Sequence, residues 1–257
     1  MDDNDQQSIE LDIARLLDLL AQGEMAVETS MPYSSNYTLL TSVVQDSMRV
    51  LAVYKPRRGE RPLWDFPRGT LYRREAAAYV VSEALGFGLV PPTVVRDGPY
   101  GVGAVQLFVP NDEESHLFTM LKEGGYEDVI RQLVAYDFLI NNADRKSGHC
   151  LKGLDGRLWA IDHGICFHYE YKLRTVLWDF VGQPMPDFVL DGLTRFQTLL
   201  DEGGSLSRAL DDLLDKTEVR ALRRRLKMLL DSGKYPAPGP GPNVPWPPVG
   251  SFLTDLS

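Results

Sequence analysis

Leu139-Ile140-Asn141-Asn142-Ala143-Asp144-Arg145-Lys146-Ser147-Gly148-His149, followed a short way on by Ala160-Ile161-Asp162-His163-Gly164, is the stretch whose reading decides the fold. An apolar run that suits a buried helix (126–140) breaks abruptly into polar loop residues. Two short β-rich segments, 150–152 and 158–161, then follow, joined by the turn pair Asp155-Gly156. A hairpin therefore separates two loops that each carry a carboxylate, Asp144 and Asp162. Gly164 permits a sharp backbone turn that a side chain would hinder, leaving the Asp162 carboxylate able to point at a divalent cation.

Upstream, residues 25–28, 37–45 and 48–54 are rich in β-branched and aromatic residues and are separated by turn formers, which predicts three strands. Before them Ile9, Ile13, Leu16, Leu17 and Leu20 recur at helical spacing, and Gly23 stops that helix near Gln22. Residues 56–69 hold three prolines, two glycines and interspersed arginines and read as a loop; residues 71–85 return to helical periodicity. Two more strands are expected at 93–96 and 102–109, ending at Pro110, which cannot donate to a ladder. Downstream, residues 187–200, 206–214 and 218–230 read as helices and 236–248 as an extended Pro- and Gly-rich strap. The pattern is α+β, with an N-terminal antiparallel sheet carrying one long helix and a mostly helical second half. It predicts an N-lobe over 1–110, a C-lobe over 111–235 and a tail over 236–257.

The chain has 257 residues, of which 44% are hydrophobic, enough for one large domain or two lobes around a real core. A formal net charge of -9 argues against a surface built to grip nucleic acid or an anionic bilayer. Two cysteines, Cys150 and Cys166, are too few for a disulfide framework and fit a reducing compartment. The first ten residues lack the pattern of a secretory signal, and no segment approaches ~18 consecutive apolar residues. The expectation is a cytoplasmic protein with no transmembrane segment.

Several residues fall in an order that phosphoryl transfer requires: a cation for phosphates, carboxylates for a metal, and a base for the acceptor. Lys55 closes the strand Val50-Leu51-Ala52-Val53-Tyr54-Lys55, and Glu75 follows early in the next helix, where it can aim that ammonium. Taken alone, each is as readily a solvated strand end and a helix-dipole partner. In kinases a catalytic-loop Asp is followed five positions later by a metal-binding Asn, and a second Asp opens an Asp-x-Gly turn after a hairpin. Asp144, His149, Asp162 and Gly164 occupy those positions. Ser34, Ser35 and Asn36 fill the interval where a phosphate-cradling loop belongs, and an ordinary turn is the alternative. Gln106, Leu107 and Val109 lie on the strand expected to become the adenine-binding hinge. Arg57, Arg58, Arg61 and Arg68 with Trp64 and Phe66 form either an anion clamp or a strap pinned by Trp64. The basic run Arg220, Arg223, Arg224, Arg225 and Lys227 reads as a solvated helix face, and His163, Cys166 and His168 as packing and hydrogen-bonding groups.

The blocks around Asp144-Arg145 and Ile161-Asp162-His163-Gly164-Ile165-Cys166-Phe167 resemble the Asp-Arg-His-x-x-Asn and Ile-Asp-x-Gly motifs of phosphatidylinositol 3- and 4-kinases and the related HipA-like kinases. Val53-Tyr54-Lys55-Pro56, Gly59-Glu60-Arg61-Pro62-Leu63-Trp64-Asp65-Phe66-Pro67 and Leu173-Arg174-Thr175-Val176-Leu177-Trp178 are similar to a small actinobacterial-type group of phosphatidylinositol 3-/4-kinase-like proteins. The likeness spans roughly residues 27–186. It implies a protein-kinase-like two-lobed fold that binds ATP with Mg²⁺ or Mn²⁺. It further implies Asp144 as catalytic residue, Asp162 as principal metal ligand, Lys55 as phosphate contact and Glu75 as its partner. His149 departs from the family's Asn and, as a softer ligand, suits Mn²⁺. Lys146 stands where the family has His, keeping a cation where phosphate charge develops. The implied acceptor is a hydroxyl on a small molecule, a protein or an inositol lipid. The rival expectations are an idle nucleotide-binding module and an AMP-transferring enzyme on the same fold.

Overall fold

The computed structural model describes residues 13–31 and 37–247. Helix α1 (Ile13–Gln22) turns Leu16, Leu19 and Leu20 to one buried face. It ends where Gly23 passes so close to its last turn that a Cβ would lie 2.7 Å from the Leu19 carbonyl oxygen. Strands β1 (Glu24–Ser30), β2 (Leu39–Gln45), β3 (Met48–Pro56), β4 (Thr93–Gly98) and β5 (Gly101–Leu107) form one antiparallel sheet in the order β1-β2-β3-β5-β4. The leucines of α1 pack on Val43, Ala52, Tyr54 and Val105 of that sheet, making a small core of their own. Arg96 of β4 donates to the carbonyls of Leu20 and Gly23, satisfying acceptors that the end of α1 leaves open.

Helix α2 (Leu71–Leu85) connects β3 to β4 and is mostly enclosed, with eleven of its fifteen residues buried and Arg73 and Glu83 left exposed. One side meets the sheet, while Ala77, Ala78, Val81 and Leu85 join the main core with helices that come later in the chain. Its run Ala76-Ala77-Ala78 keeps the surface flat, so neighbours approach closely, and the Tyr136 hydroxyl donates to the Ala78 carbonyl at 2.8 Å. Buried Arg74 reaches across to Glu218.

The second half holds α3 (Leu117–Glu123), α4 (Glu127–Ile140), the hairpin β6 (Cys150–Lys152) and β7 (Leu158–Ala160), then α5 (Asp187–Asp201), α6 (Ser205–Leu213) and α7 (Lys216–Ser232). Asp215 caps α7 in a reciprocal capping box with Glu218, so Glu218 both closes the helix start and receives Arg74. Among the described residues no helix is long and apolar enough to cross a membrane.

Most element positions follow the sequence expectation, and four details differ. β5 stops at Leu107, leaving Val109 beyond the ladder, and the short α3 is an element the periodicity does not reveal. Trp64 is 91% exposed and its ring meets the Lys172 ammonium, 4.9 Å from the centroid; the loop after β3 is anchored by buried Phe66, edge-on to His168. Arg225 leaves the solvated face of α7 and donates inward to the carbonyls of Leu139 and His168. The tail strap is fastened through Asn243, whose carbonyl accepts from Thr175 N–H and the Trp178 indole.

Candidate active site

Asn141 ends α4 in the left-handed conformation, φ 54°, which turns the chain back across the hairpin. Its side chain then ties three distant backbone groups, donating to the carbonyls of His168 and Glu170 and accepting from Lys172 N–H. Asn142 donates to Asp137 at 2.9 Å and accepts the amide of Asp144 at 3.0 Å. The two asparagines therefore fix the loop before its acidic residue is reached.

Arg145, fully buried, is the hub beneath that loop. Its guanidinium grips both oxygens of Asp137 at 2.9 and 3.0 Å and donates to the carbonyls of His149 and Ile161. Its last donor meets His163 Nε2 at 2.6 Å. A guanidinium has five donors and no acceptor, so the His163 ring must accept and carries its proton on Nδ1. Burial first, then the Arg145 and Lys55 charges, push the His163 pKa well down, in agreement with a neutral ring. Arg145 thus joins the Asp144 loop to the residue that follows Asp162.

Above this hub lies a second cluster. Lys55 Nζ sits 2.6 Å from Glu75 Oε1 and 2.5 Å from Asp162 Oδ1. The other Glu75 oxygen accepts the His163 amide at 3.0 Å, so Glu75 is held from both sides. Desolvation opposes the charges on Lys55 and Asp162, but their mutual attraction outweighs it, raising the Lys55 pKa and holding Asp162 well below the usual carboxylate range. Asp162 has φ 59°, a conformation most side chains avoid and Asp tolerates. Gly164 follows beneath Glu75 and Leu71, where a Cβ would come within 3.4 Å of Glu75 Oε1.

The two acidic loops converge on His149. Its Nδ1 lies 2.8 Å from the Asp144 carbonyl, which can only accept, so the proton is on Nδ1 and Nε2 presents a lone pair. Burial lowers the His149 pKa, opposed by Asp162 and Asp144. That lone pair faces Asp162 Oδ2 at 3.6 Å, two electron-pair donors that cannot hydrogen-bond to each other. Such a pair fits a divalent cation whose remaining positions are filled from outside the chain. Among the described residues no cluster of three or more His, Cys, Asp or Glu side chains could cage one alone. Asp144 pairs with Lys146 at 3.0 Å; burial raises its pKa, opposed by His149 and Lys146.

The remaining expected residues divide. Ser34, Ser35 and Asn36 lie outside the described residues; Tyr37 just after them donates its amide to the Gly59 carbonyl. Gln106 is buried, and its side-chain amide donates to Thr93. The Leu107 amide is committed to the Pro92 carbonyl, and the side chain packs on the α1 core. Asp137 was not singled out by sequence spacing. Its signal was a lone carboxylate inside the apolar stretch 133–140, which a buried position tolerates only when paired.

These elements make up the protein-kinase-like fold. The Helicobacter pylori proinflammatory kinase CtkA superposes with TM-score 0.53 at 14% identity, covering 83% of this chain and 95% of that one. Hydra Fam20 with sugar gives TM-score 0.53 at 16% identity, covering 88% and 89%. The Golgi casein kinase with Mn/ADP bound gives 0.52 at 16% identity, covering 88% and 80%. In sequence the chain is 40% identical over 262 residues to Protein Rv2133c of Mycobacterium tuberculosis, covering 89% of this chain and 94% of that protein, and it belongs to that protein's family. It is also 26% identical over 162 residues to Phosphatidylinositol 4-kinase gamma 3 of Arabidopsis thaliana, covering 49% of this chain but 27% of that protein. No protein-family model matches the chain.

Proposed function

We propose that the chain is an ATP-dependent phosphotransferase that passes the γ-phosphoryl group of ATP to a hydroxyl acceptor. The observation that carries this reading is the Lys55–Glu75–Asp162 chain of ion pairs standing over His149 and the Asp144–Lys146 pair. Lys55, aimed by Glu75, contacts phosphate oxygens. Asp162 and His149 hold Mg²⁺ or Mn²⁺, which when bound offsets phosphate charge. Asp144 orients the acceptor hydroxyl and takes its proton, and Lys146 meets the negative charge that develops. Ser34, Ser35 and Asn36 supply the phosphate loop, and the Val109 amide, outside the ladder, is available to the adenine edge. The reading takes residues 1–110 and 111–235 as the lobes that enclose ATP, with 236–257 as a tail, and a cytoplasmic setting in keeping with two free buried cysteines. The acceptor is a hydroxyl on a small molecule, a protein or an inositol lipid.

Incubation with radiolabelled ATP, divalent cation and a panel of hydroxyl acceptors tests this. Wild type should transfer label; Asp144→Ala should bind nucleotide and transfer none, and Asp162→Ala should lose metal-dependent nucleotide binding. Equal nucleotide affinity in wild type and Asp162→Ala would sink the assignment. Binding without transfer to any acceptor or to water would mean an idle module, and an AMP-sized mass increase on the product would mean nucleotidyl transfer.

A further inference from the structure

The loop between β3 and α2 borders an open cavity of about 460 Å³ walled by its own residues with Leu71 and Val102, and neither Asp144 nor Asp162 is among the lining residues. Four arginines line it, Arg57, Arg58, Arg61 and Arg68, in a chain whose net charge is -9. Arg57, Arg58 and Arg68 have no carboxylate partner among the described residues. Their placement is built into the backbone. Gly69 has φ 71°, and Arg57 Nε lies 2.4 Å from where a Cβ would stand, so the guanidinium crosses a spot only glycine leaves open. Arg58 runs along the start of β5 beside Gly101.

One acid also lines the cavity. Glu60 Oε1 accepts the Tyr72 amide in the first turn of α2, whereas Glu60 Oε2 is buried and has no hydrogen-bond partner. A buried carboxylate oxygen without a donor is costly and calls for one. Oε2 is closed off from the cavity, so what the cavity itself offers is a set of forked cations suited to a phosphate. Its volume is that of a small-molecule site, and its concavity sets it apart from a flat membrane-facing patch.

We propose that this cavity binds a small phosphate monoester, with the arginines on the phosphate and Pro62, Leu63 and Phe66 beside the esterified group. The site does not depend on the phosphotransferase reading. The loop that forms it is tied to the segment after Asp162: Lys172 pairs with Asp65 at 3.0 Å and the His168 ring donates to the Asp65 carbonyl at 3.0 Å. A ligand there would therefore brace the segment that leaves the Asp162 turn.

Calorimetric titration of the full chain, without nucleotide, compares glycerol 3-phosphate, inorganic phosphate and glycerol. The expected order is glycerol 3-phosphate tighter than phosphate, with no detectable binding of glycerol. The double variant Arg58→Gln/Arg68→Gln, both exposed positions, should weaken glycerol 3-phosphate at least about tenfold with an unchanged melting temperature. Asp162→Ala should leave glycerol 3-phosphate affinity unchanged, which separates this cavity from the nucleotide cleft. Equal affinity in wild type and the double variant, loss of binding in Asp162→Ala, or binding only to phosphatidylserine vesicles and to neither soluble phosphate would each overturn the proposal.

Discussion

Asp144 and Arg145 are consecutive residues, and so are Asp162 and His163, yet within each pair the two side chains live in different solvents. The Asp144 and Asp162 side chains are 24% and 48% exposed, whereas Arg145 and His163 are 0% exposed. The first of each pair faces the cleft and the second locks into the Asp137–Arg145–His163 hub. The difference teaches that this site separates chemistry from support at one-residue resolution. A charge meant to meet a ligand keeps some water, while beside it Arg145 spends every donor on the protein and neutral His163 accepts one of them.

The comparison predicts opposite phenotypes for the cleft carboxylate and for the hub beneath it. Asp144→Asn should lower phosphoryl transfer by about 10²–10⁴-fold, the range for losing a general base, with the urea midpoint unchanged. Asp137→Ala strands a buried guanidinium and should cost about 3–5 kcal/mol in urea unfolding, lowering activity only in proportion to folded protein. If Asp137→Ala were as stable as wild type, the hub would not be the support described.

A smaller effect tests the neutral His163. Its folded-state pKa lies well below the value near 6.5 of a free histidine, so below that pH the unfolded chain binds more protons. Stability should be full above about pH 6.5 and fall as the pH drops toward the folded-state pKa. His163→Gln, which still accepts from Arg145 but does not titrate, should make that fall shallower in urea midpoints measured between about pH 8 and about pH 5. The smallest effect belongs far from either cluster: Lys227→Ala removes an exposed pair with Asp231 and should shift stability by no more than about 0.5 kcal/mol.

What was legible in the chain follows from which forces are local. The strands and long helices repeat their apolar residues at regular intervals, so their positions follow from the pattern. The Asp144 and Asp162 loops were legible because polar residues interrupt apolar ones on either side of a hairpin. The direction a side chain takes is a tertiary matter. Nothing near Arg225 tells it from Arg223 or Arg224, yet its position on α7 turns it toward the end of α4. Trp64 and Phe66 are both aromatic, and only the packing of the loop decides that Phe66 goes in. The helix α3 is too short for periodicity; its marker was His116, whose ring accepts the Phe118 amide as a cap.

Helix α2 leaves only a narrow strip to water, at Arg73 and Glu83, and is stapled to α7 by Arg74 and Glu218. Swinging it outward, the motion that would part Glu75 from Lys55, would strand that ion pair and strip the main core of one wall. The grip on Lys55 is consequently tied to the packing of α2, so loosening it would cost the fold as well as the site.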